Sequence, residues 1–380
     1  MHVCTLNMPV EYYSPISGGA VSTVIMEQTR ELLARGHRAS VLTITNEDPV
    51  YDVGQVVPIK AATRDELSFA QRRLSALRGR VCGWDWPYYE HYRRSFLPQL
   101  LKLRPDVVIV HNDLVSPKYI RPALPDARII VWLHNENRTR QRDLRRTIDV
   151  TDCFVAVSRY IRQWTIDNLS VPDHKITAIL NGADLATFHP ALNHSQNADV
   201  VKVLFIGRFD PNKGPDLAID AVARLRQHGL PVQISVAGAV WWYGSGDPMS
   251  HPYFRELRQK MDAADAVYLG QVSRPHVPEL IRRHDIACVL SRSNDPCPLV
   301  TLEAMASGCA VIGTRRGGIP EQVGDAALLV EPELDQVVDA MRTLVTDPQA
   351  LDLWKQRGRQ RAANLSWSAH VDELEKLLSQ

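Results

Sequence analysis

The sequence predicts an α/β protein built from two doubly wound domains, and three observations carry that expectation. Short β-branched runs alternate with amphipathic stretches along the chain, as buried parallel strands separated by helices do. The length of 380 residues, 45% of them apolar, suits two compact domains that each own a core. A polar segment at 181–200, containing Pro190 and lacking a sustained period, interrupts the pattern at mid-chain and is the expected linker. In such an architecture ligands bind at the carboxyl ends of the strands, in the cleft between the domains.

Taken in order, the first helix is expected from Val21 to Arg35, with Val21, Val24, Ile25, Gln28 and Leu32 on one face and Gly36 as its stop. Strands follow at Val107-Val-Ile-Val110, Ile129-Ile-Val-Trp-Leu133 and Phe154-Val-Ala-Val157. In the second half they are expected at Val203-Leu-Phe-Ile206, Gln233-Ile-Ser-Val236, Ile286-Ala-Cys-Val-Leu290 and Ala310-Val-Ile312. A helix opening at Pro215 turns Leu217, Ala218, Ala221, Val222 and Leu225 inward.

Charge and composition remove several classes. Lys and Arg total 44 against 43 Asp and Glu, which gives no global reason to expect a nucleic-acid partner. No run approaches the roughly 18 apolar residues of a membrane span, and the first residues do not resemble a signal peptide, so the expected location is the cytoplasm. The six cysteines form no Cys-x-x-Cys pair and are expected as small core residues. There is no Gly-x-Gly-x-x-Gly, Walker loop, Gly-x-Ser-x-Gly or His-Glu-x-x-His, and no Asp-x-Asp pair to hold a divalent ion on a diphosphate, so metal-free chemistry without a cofactor is expected.

Three loops at strand-to-helix junctions are left to carry chemistry. Ser17-Gly-Gly19 precedes the first helix and is either an anion cradle or a plain tight turn. Gly207-Arg-Phe-Asp-Pro-Asn-Lys-Gly214 brings Arg208 and Lys213 to the positive end of a helix; two cations there repel unless an anion such as a diphosphate joins them. Ser291-Arg-Ser-Asn-Asp-Pro-Cys-Pro-Leu-Val-Thr-Leu-Glu-Ala-Met-Ala-Ser-Gly308 places Asp295 before a helix that Pro298 opens and Gly308 ends, with Glu303 one turn inside. One carboxylate could accept both hydroxyls of a ribose while the other lies nearer a reacting sugar. The plain alternative is a capping aspartate and a structurally paired glutamate.

These segments, with Gly313-Thr-Arg-Arg-Gly-Gly-Ile-Pro-Glu321, resemble the retaining GT-B glycosyltransferases of family four. Ser17-Gly-Gly19, Trp132-Leu-His134, Val157-Ser158, Asn181-Gly-Ala-Asp184 and Leu365-Ser-Trp367 extend the likeness nearly end to end, in the family's order. The resemblance implies a GT-B fold of two Rossmann-like domains facing a central cleft: an acceptor-side domain at 1–190, a nucleotide-sugar domain at 191–362 and a last helix, 363–380, crossing back to the first. It implies that Arg208 and Lys213 hold the donor diphosphate, Glu303 the ribose diol, and Asp295 with the following amides of Cys297, Leu299 and Val300 the donor sugar. His134 would face that sugar, Gly18 and Gly19 would close over phosphate and acceptor, and Val267-Tyr-Leu-Gly270, with Tyr268, would adjoin the base. The family usually has glutamate where this chain has Asp295, which shortens the reach by one methylene, and Pro298 removes an amide.

The implied reaction moves a hexose-type sugar from a nucleotide-diphosphate sugar to a glycan, lipid-linked or small-molecule acceptor. The departing phosphate takes the acceptor's proton on the front face, and Arg208 and Lys213 stabilise the growing charge. An epimerase or phosphorylase of the same fold, or a weakened scaffold, is the alternative. From Lys60 to Arg146 there are 18 basic and 9 acidic residues interleaved with aromatics. That stretch is either a solvated face over ordinary core aromatics or a surface for anionic lipid or a phosphate-bearing acceptor, which would make the protein peripheral on the inner face of the cell membrane.

Overall fold

The computed structural model describes residues 1–60, 73, 87–137, 141–191, 200–240 and 248–379. The chain divides into two compact units, one made of 1–180 and the residues from His370 onward, the other of Asn181–Ala369. The division precedes the expected boundary at 190 because Ala183 and Phe188 are buried in the core of the C-terminal unit. The last helix, α13 (Trp367–Leu378), starts in the C-terminal unit and continues in the N-terminal one.

The N-terminal unit holds seven parallel strands among the described residues: β1 (His2–Leu6), β2 (Arg38–Ile44), β3 (Gln55–Ile59), β4 (Val107–His111), β5 (Arg128–Leu133), β6 (Cys153–Ala156) and β7 (Ile176–Ala178). Their order is β3-β2-β1-β4-β5-β6-β7. The chain leaves β1 toward one side of the sheet and returns through β4 on the other, so the crevice between β1 and β4 is a topological switch point. Helix α1 (Ala20–Ala34) follows β1 and buries Val21, Val24, Ile25, Gln28 and Leu32, the face expected from its period.

The C-terminal unit repeats the scheme with β8 (Val201–Ile206), β9 (Val232–Ala237), β10 (Val267–Gly270), β11 (Ile286–Val289), β12 (Ala310–Thr314) and β13 (Leu328–Val330), ordered β10-β9-β8-β11-β12-β13. Its switch point lies between β8 and β11. Alternate residues serve opposite faces: Val203, Phe205, Cys288 and Ile312 enter one core, while Leu204, Ala287, Val289 and Val311 enter the other. A sheet covered on both sides needs apolar residues at every position, which is why these strands read as unbroken apolar runs. All five described cysteines are buried.

Candidate active site

In the C-terminal unit the loop after β8 and the loop after β11 flank the switch point, and they are stitched together. The turn Pro211–Lys213, capped by the Asp210 side chain accepting from the Asn212 amide at 2.9 Å, presents Lys213, whose Nζ donates to Asp295 Oδ2 at 2.5 Å. Arg292 forks onto Asp216, in the first turn of α6 (Pro215–Gln227), through Nη1 at 2.8 Å and Nη2 at 2.5 Å. Burial opposes ionisation of Asp216, but the guanidinium outweighs it and holds the carboxyl below its ordinary range. Gly214 (φ 69°) lets the loop come down on β11: a Cβ there would lie 2.3 Å from the Leu290 carbonyl oxygen. Arg208 is exposed at the start of the same loop.

Asp295 is buried, and Ser291 Oγ also donates to its Oδ2 at 3.0 Å. Asp295 does not cap the helix that follows, whose N-cap is Pro298, and is ion-paired with Lys213 instead. Gly317 (φ 58°) packs on the Asp295 backbone, where a Cβ would approach the carbonyl oxygen to 2.3 Å, and the Gly318 amide donates to that oxygen at 2.8 Å. The glycine pair in 313–321 is thus the floor beneath Asp295.

Two side chains pull the next carbonyls backward: Asn181 Nδ2 donates to Cys297 O and Gln322 Nε2 to Pro298 O, each at 3.0 Å. Leu299 and Val300 then open α9 (Leu299–Ala306) with no side-chain cap, so their amides head a helix whose positive end serves the same loop. The Cys297 thiol is buried and pushed up to about 12 by desolvation, which makes it inert as a nucleophile. Glu303, buried in α9, pairs through Oε1 with Arg274 Nη2 at 2.6 Å. The glutamate is therefore a structural partner in this structure, whatever its other oxygen meets. Tyr268 turns its ring inward against Phe209 and Phe254, with centroids 5.9 and 5.7 Å away, while Val267 and Leu269 face outward from this edge strand.

The N-terminal unit presents different chemistry at its switch point. His134 follows β5, is buried, and donates its backbone amide to Asn112 Oδ1 at 2.7 Å. Its Nε2 meets His111 Nδ1 at 2.8 Å, and the two rings stack. His370, from α13, closes the group: it stacks on Trp132 at 5.2 Å, meets Gln28 at 2.8 Å and bonds the Leu180 carbonyl through Nδ1 at 2.7 Å. Burial, then mutual repulsion, lowers His134 to about 3; burial lowers His370 to about 4, and His111 also lies well below its usual value. All three are neutral at pH 7. The Gly18 amide donates to Ser14 O at 3.0 Å, and the Gly19 amide faces the Glu11 carboxylate, so both glycines have their amides engaged within the loop.

Two family models match the chain: Glycosyltransferase Family 4 over residues 17–187 and Glycosyl transferases group 1 over residues 192–361. The chain belongs to the family 4 glycosyltransferases. Its fold is GT-B, as in the Anabaena HepE structure in complex with UDP-glucose, which superposes with a TM-score of 0.71 at 16% identity over 100% of this chain and 99% of that one. The D-inositol 3-phosphate glycosyltransferase of Kineococcus radiotolerans is 26% identical over 93% of this chain and 88% of its own. YtcC of Bacillus subtilis is 26% identical over 62% of this chain, a stretch spanning 61% of that protein.

For this glycosyltransferase, sequence reasoning passed over Arg274, Arg292, Gln322 and Glu11. Arg292 lies inside a quoted motif and Gln322 directly follows one, but their partners are distant in the chain. Within the basic stretch from Lys60 to Arg146, residues 61–72, 74–86 and 138–140, Arg138 and Arg140 among them, lie outside the described residues. Of its aromatics, Tyr92 and Phe96 are fully buried in the N-terminal core and pack edge to face, so these two are core residues and not part of a lipid-facing surface. No described helix is long and apolar enough to cross a membrane.

Proposed function

We propose that this glycosyltransferase moves a hexose-type sugar from a nucleoside-diphosphate sugar to a hydroxyl of a glycan, lipid-linked or small-molecule acceptor, with retention at the anomeric carbon and without a divalent ion. The observation that carries the reading is the pair Lys213–Asp295 at 2.5 Å, formed between the two loops that flank the C-terminal switch point. A cation and a carboxylate stand side by side there, and the helix that follows opens at Leu299 and Val300 with no side-chain cap. HepE in complex with UDP-glucose, a protein of the same fold, supports a nucleotide-sugar donor.

In the reaction, Lys213 and Arg208 bind the diphosphate and stabilise the negative charge that grows as the glycosidic bond breaks. The Leu299 and Val300 amides add the positive end of α9. Asp295 holds a sugar hydroxyl, and the leaving phosphate accepts the acceptor's proton. His134 acts as a neutral imidazole that orients the sugar, since burial keeps it unprotonated. Glu303, braced by Arg274, receives the ribose.

A thermal-shift series with UDP, GDP and ADP tests the donor site: a selective rise in melting temperature that Lys213→Ala abolishes is expected. Proton NMR of the product then reads the anomeric configuration. No shift with any nucleotide, or an inverted product, overturns the reading.

A further inference from the structure

Two consecutive residues at the end of β4 grip His134 at different points. Asn112, in the left-handed region at φ 50°, donates its amide to Trp132 O at 2.8 Å and accepts the His134 amide on Oδ1 at 2.7 Å, which fixes the backbone of residue 134. His111, fully buried, meets the ring itself, with Nδ1 2.8 Å from His134 Nε2. Burial, with repulsion among the three histidines, keeps both rings neutral. A contact of that length between two neutral imidazoles holds one proton, so each ring is a fixed tautomer.

The far side of His111 decides which ring donates. Its Nε2 is buried with no partner among the described residues, and so is the indole nitrogen of Trp132, whose ring stacks on His111 at 6.1 Å. Were His134 the donor, the proton of His111 would sit on Nε2, and the stack would bury a second orphan N–H, the costlier kind of unmet group. With His111 Nδ1–H as the donor, Nε2 is a bare ring nitrogen. His370 does not intervene: its Nδ1 faces the Leu180 carbonyl, which can only accept, so Nδ1 carries the proton and the Gln28 amide nitrogen donates to Nε2. His134 keeps its own proton on Nδ1, which meets no protein group among the described residues and is not enclosed.

We propose that His111 is a positioning residue for sugar transfer: by donating from Nδ1 to His134 Nε2 it holds His134 as the Nδ1–H tautomer, and His134 then meets the donor sugar as a hydrogen-bond donor to a hydroxyl oxygen. The proposal rests on the glycosyl-transfer reading for the sugar. Asn112 sets where residue 134 stands, and His111 sets the polarity that its ring presents.

The test compares wild type with two variants. His111→Phe keeps a ring in the stack and removes the proton, whereas His111→Asn sets an amide nitrogen where Nδ1 stands, able to donate to His134 Nε2. With histidine labelled by nitrogen-15 in the full chain, two-bond nitrogen–proton correlations read each tautomer, the His134 signals being those missing from His134→Gln. His134 should be Nδ1–H in wild type and in His111→Asn, and should move toward Nε2–H in His111→Phe. Release of nucleoside diphosphate from UDP-, GDP- or ADP-glucose, whichever nucleotide stabilises the wild type, should lose about 10- to 100-fold in kcat in His111→Phe, with nucleoside-diphosphate affinity unchanged. His111→Asn should restore kcat to within about threefold of wild type.

An Nε2–H His134 in wild type, an unmoved tautomer in His111→Phe, or equal turnover of that variant and wild type overturns the proposal. Where His111→Phe does not fold, His111→Leu stands in for it, and the wild-type tautomer decides the polarity by itself. Wild type that turns over none of the three nucleotide sugars overturns the transfer reading, and the role of His111 falls with it. An active wild type with the opposite tautomer leaves that reading standing and removes His111 alone.

Discussion

The two switch points share a strand order and differ in how they treat charge. Around the C-terminal one, Lys213, Arg292 and Arg274 are each matched by a carboxylate of the same unit, Asp295, Asp216 and Glu303. Around the N-terminal one, three buried imidazoles carry no charge, and the carboxylates of Glu11 and Asp113 are met by backbone amides and serine hydroxyls. One topology thus builds one site where charges of opposite sign pair and another where buried imidazoles stay neutral and carboxylates meet amides and hydroxyls. The lesson is that the strand order supplies the location, and the loop residues supply the chemistry.

The largest effect should come from breaking the charged side. Lys213→Ala and Arg208→Ala are each expected to lower kcat/KM by about 100- to 1,000-fold with an unchanged circular dichroism spectrum. Unaltered kinetics would remove the diphosphate assignment. Asp295→Asn should lower kcat by about 100-fold while nucleoside-diphosphate affinity, measured by calorimetry, holds or rises, because Lys213 loses its competing partner. A matched loss of nucleotide affinity would mean that Asp295 serves binding and not turnover.

Glu303→Gln tests the line between structure and ligand. Because Glu303 is buried and paired with Arg274, the change should cost about 1–3 kcal/mol of stability and weaken nucleotide binding as well. A stability loss with full UDP affinity would leave it a purely structural partner.

Acid should loosen the neutral side. An imidazole near 6.5 when unfolded, and at about 3 or 4 in the fold for His134 and His370, takes up its proton preferentially in the unfolded chain. The stabilisation is complete above 6.5 and is lost as the pH falls toward 4, by about 1.4 kcal/mol per pH unit for each such histidine. Urea denaturation midpoints should fall through that window, and His111→Phe should flatten the fall. A midpoint independent of pH would show the cluster to be solvated. Smallest of all, exhaustive EDTA should leave turnover unchanged; loss restored by Mg²⁺ or Mn²⁺ would show that protein cations are not the diphosphate's partners.

Much of this was legible because buried parallel strands leave continuous apolar runs: β4, β5, β8, β11 and β12 all coincide with runs expected from the sequence. The margins were not. β3 is half-exposed and contains Pro58, and β7 and β13 span three residues each, too short for a period. The positions of Lys213, Asp295 and Glu303 followed from turn and cap residues, but their partners did not, since Lys213–Asp295 closes over 82 positions and Arg274–Glu303 joins two separate elements. The glycines at 18 and 19 were found by spacing, and spacing is silent on what occupies an amide. Only the fold brings Glu11 there.

His370 has a consequence in time. It lies beyond the whole of the C-terminal unit in the chain, yet its ring covers Trp132 and bonds Leu180, the last residue before that unit begins. A ribosome therefore finishes the whole C-terminal unit before it delivers the residue that seals the N-terminal core. Until then Gln28 lacks its imidazole partner and one face of Trp132 is open to water, so a chain stopped at Ala369 should expose that indole to a fluorescence quencher, and quenching no greater than in the full chain would refute the late seal. The N-terminal half is first to be made and last to be closed.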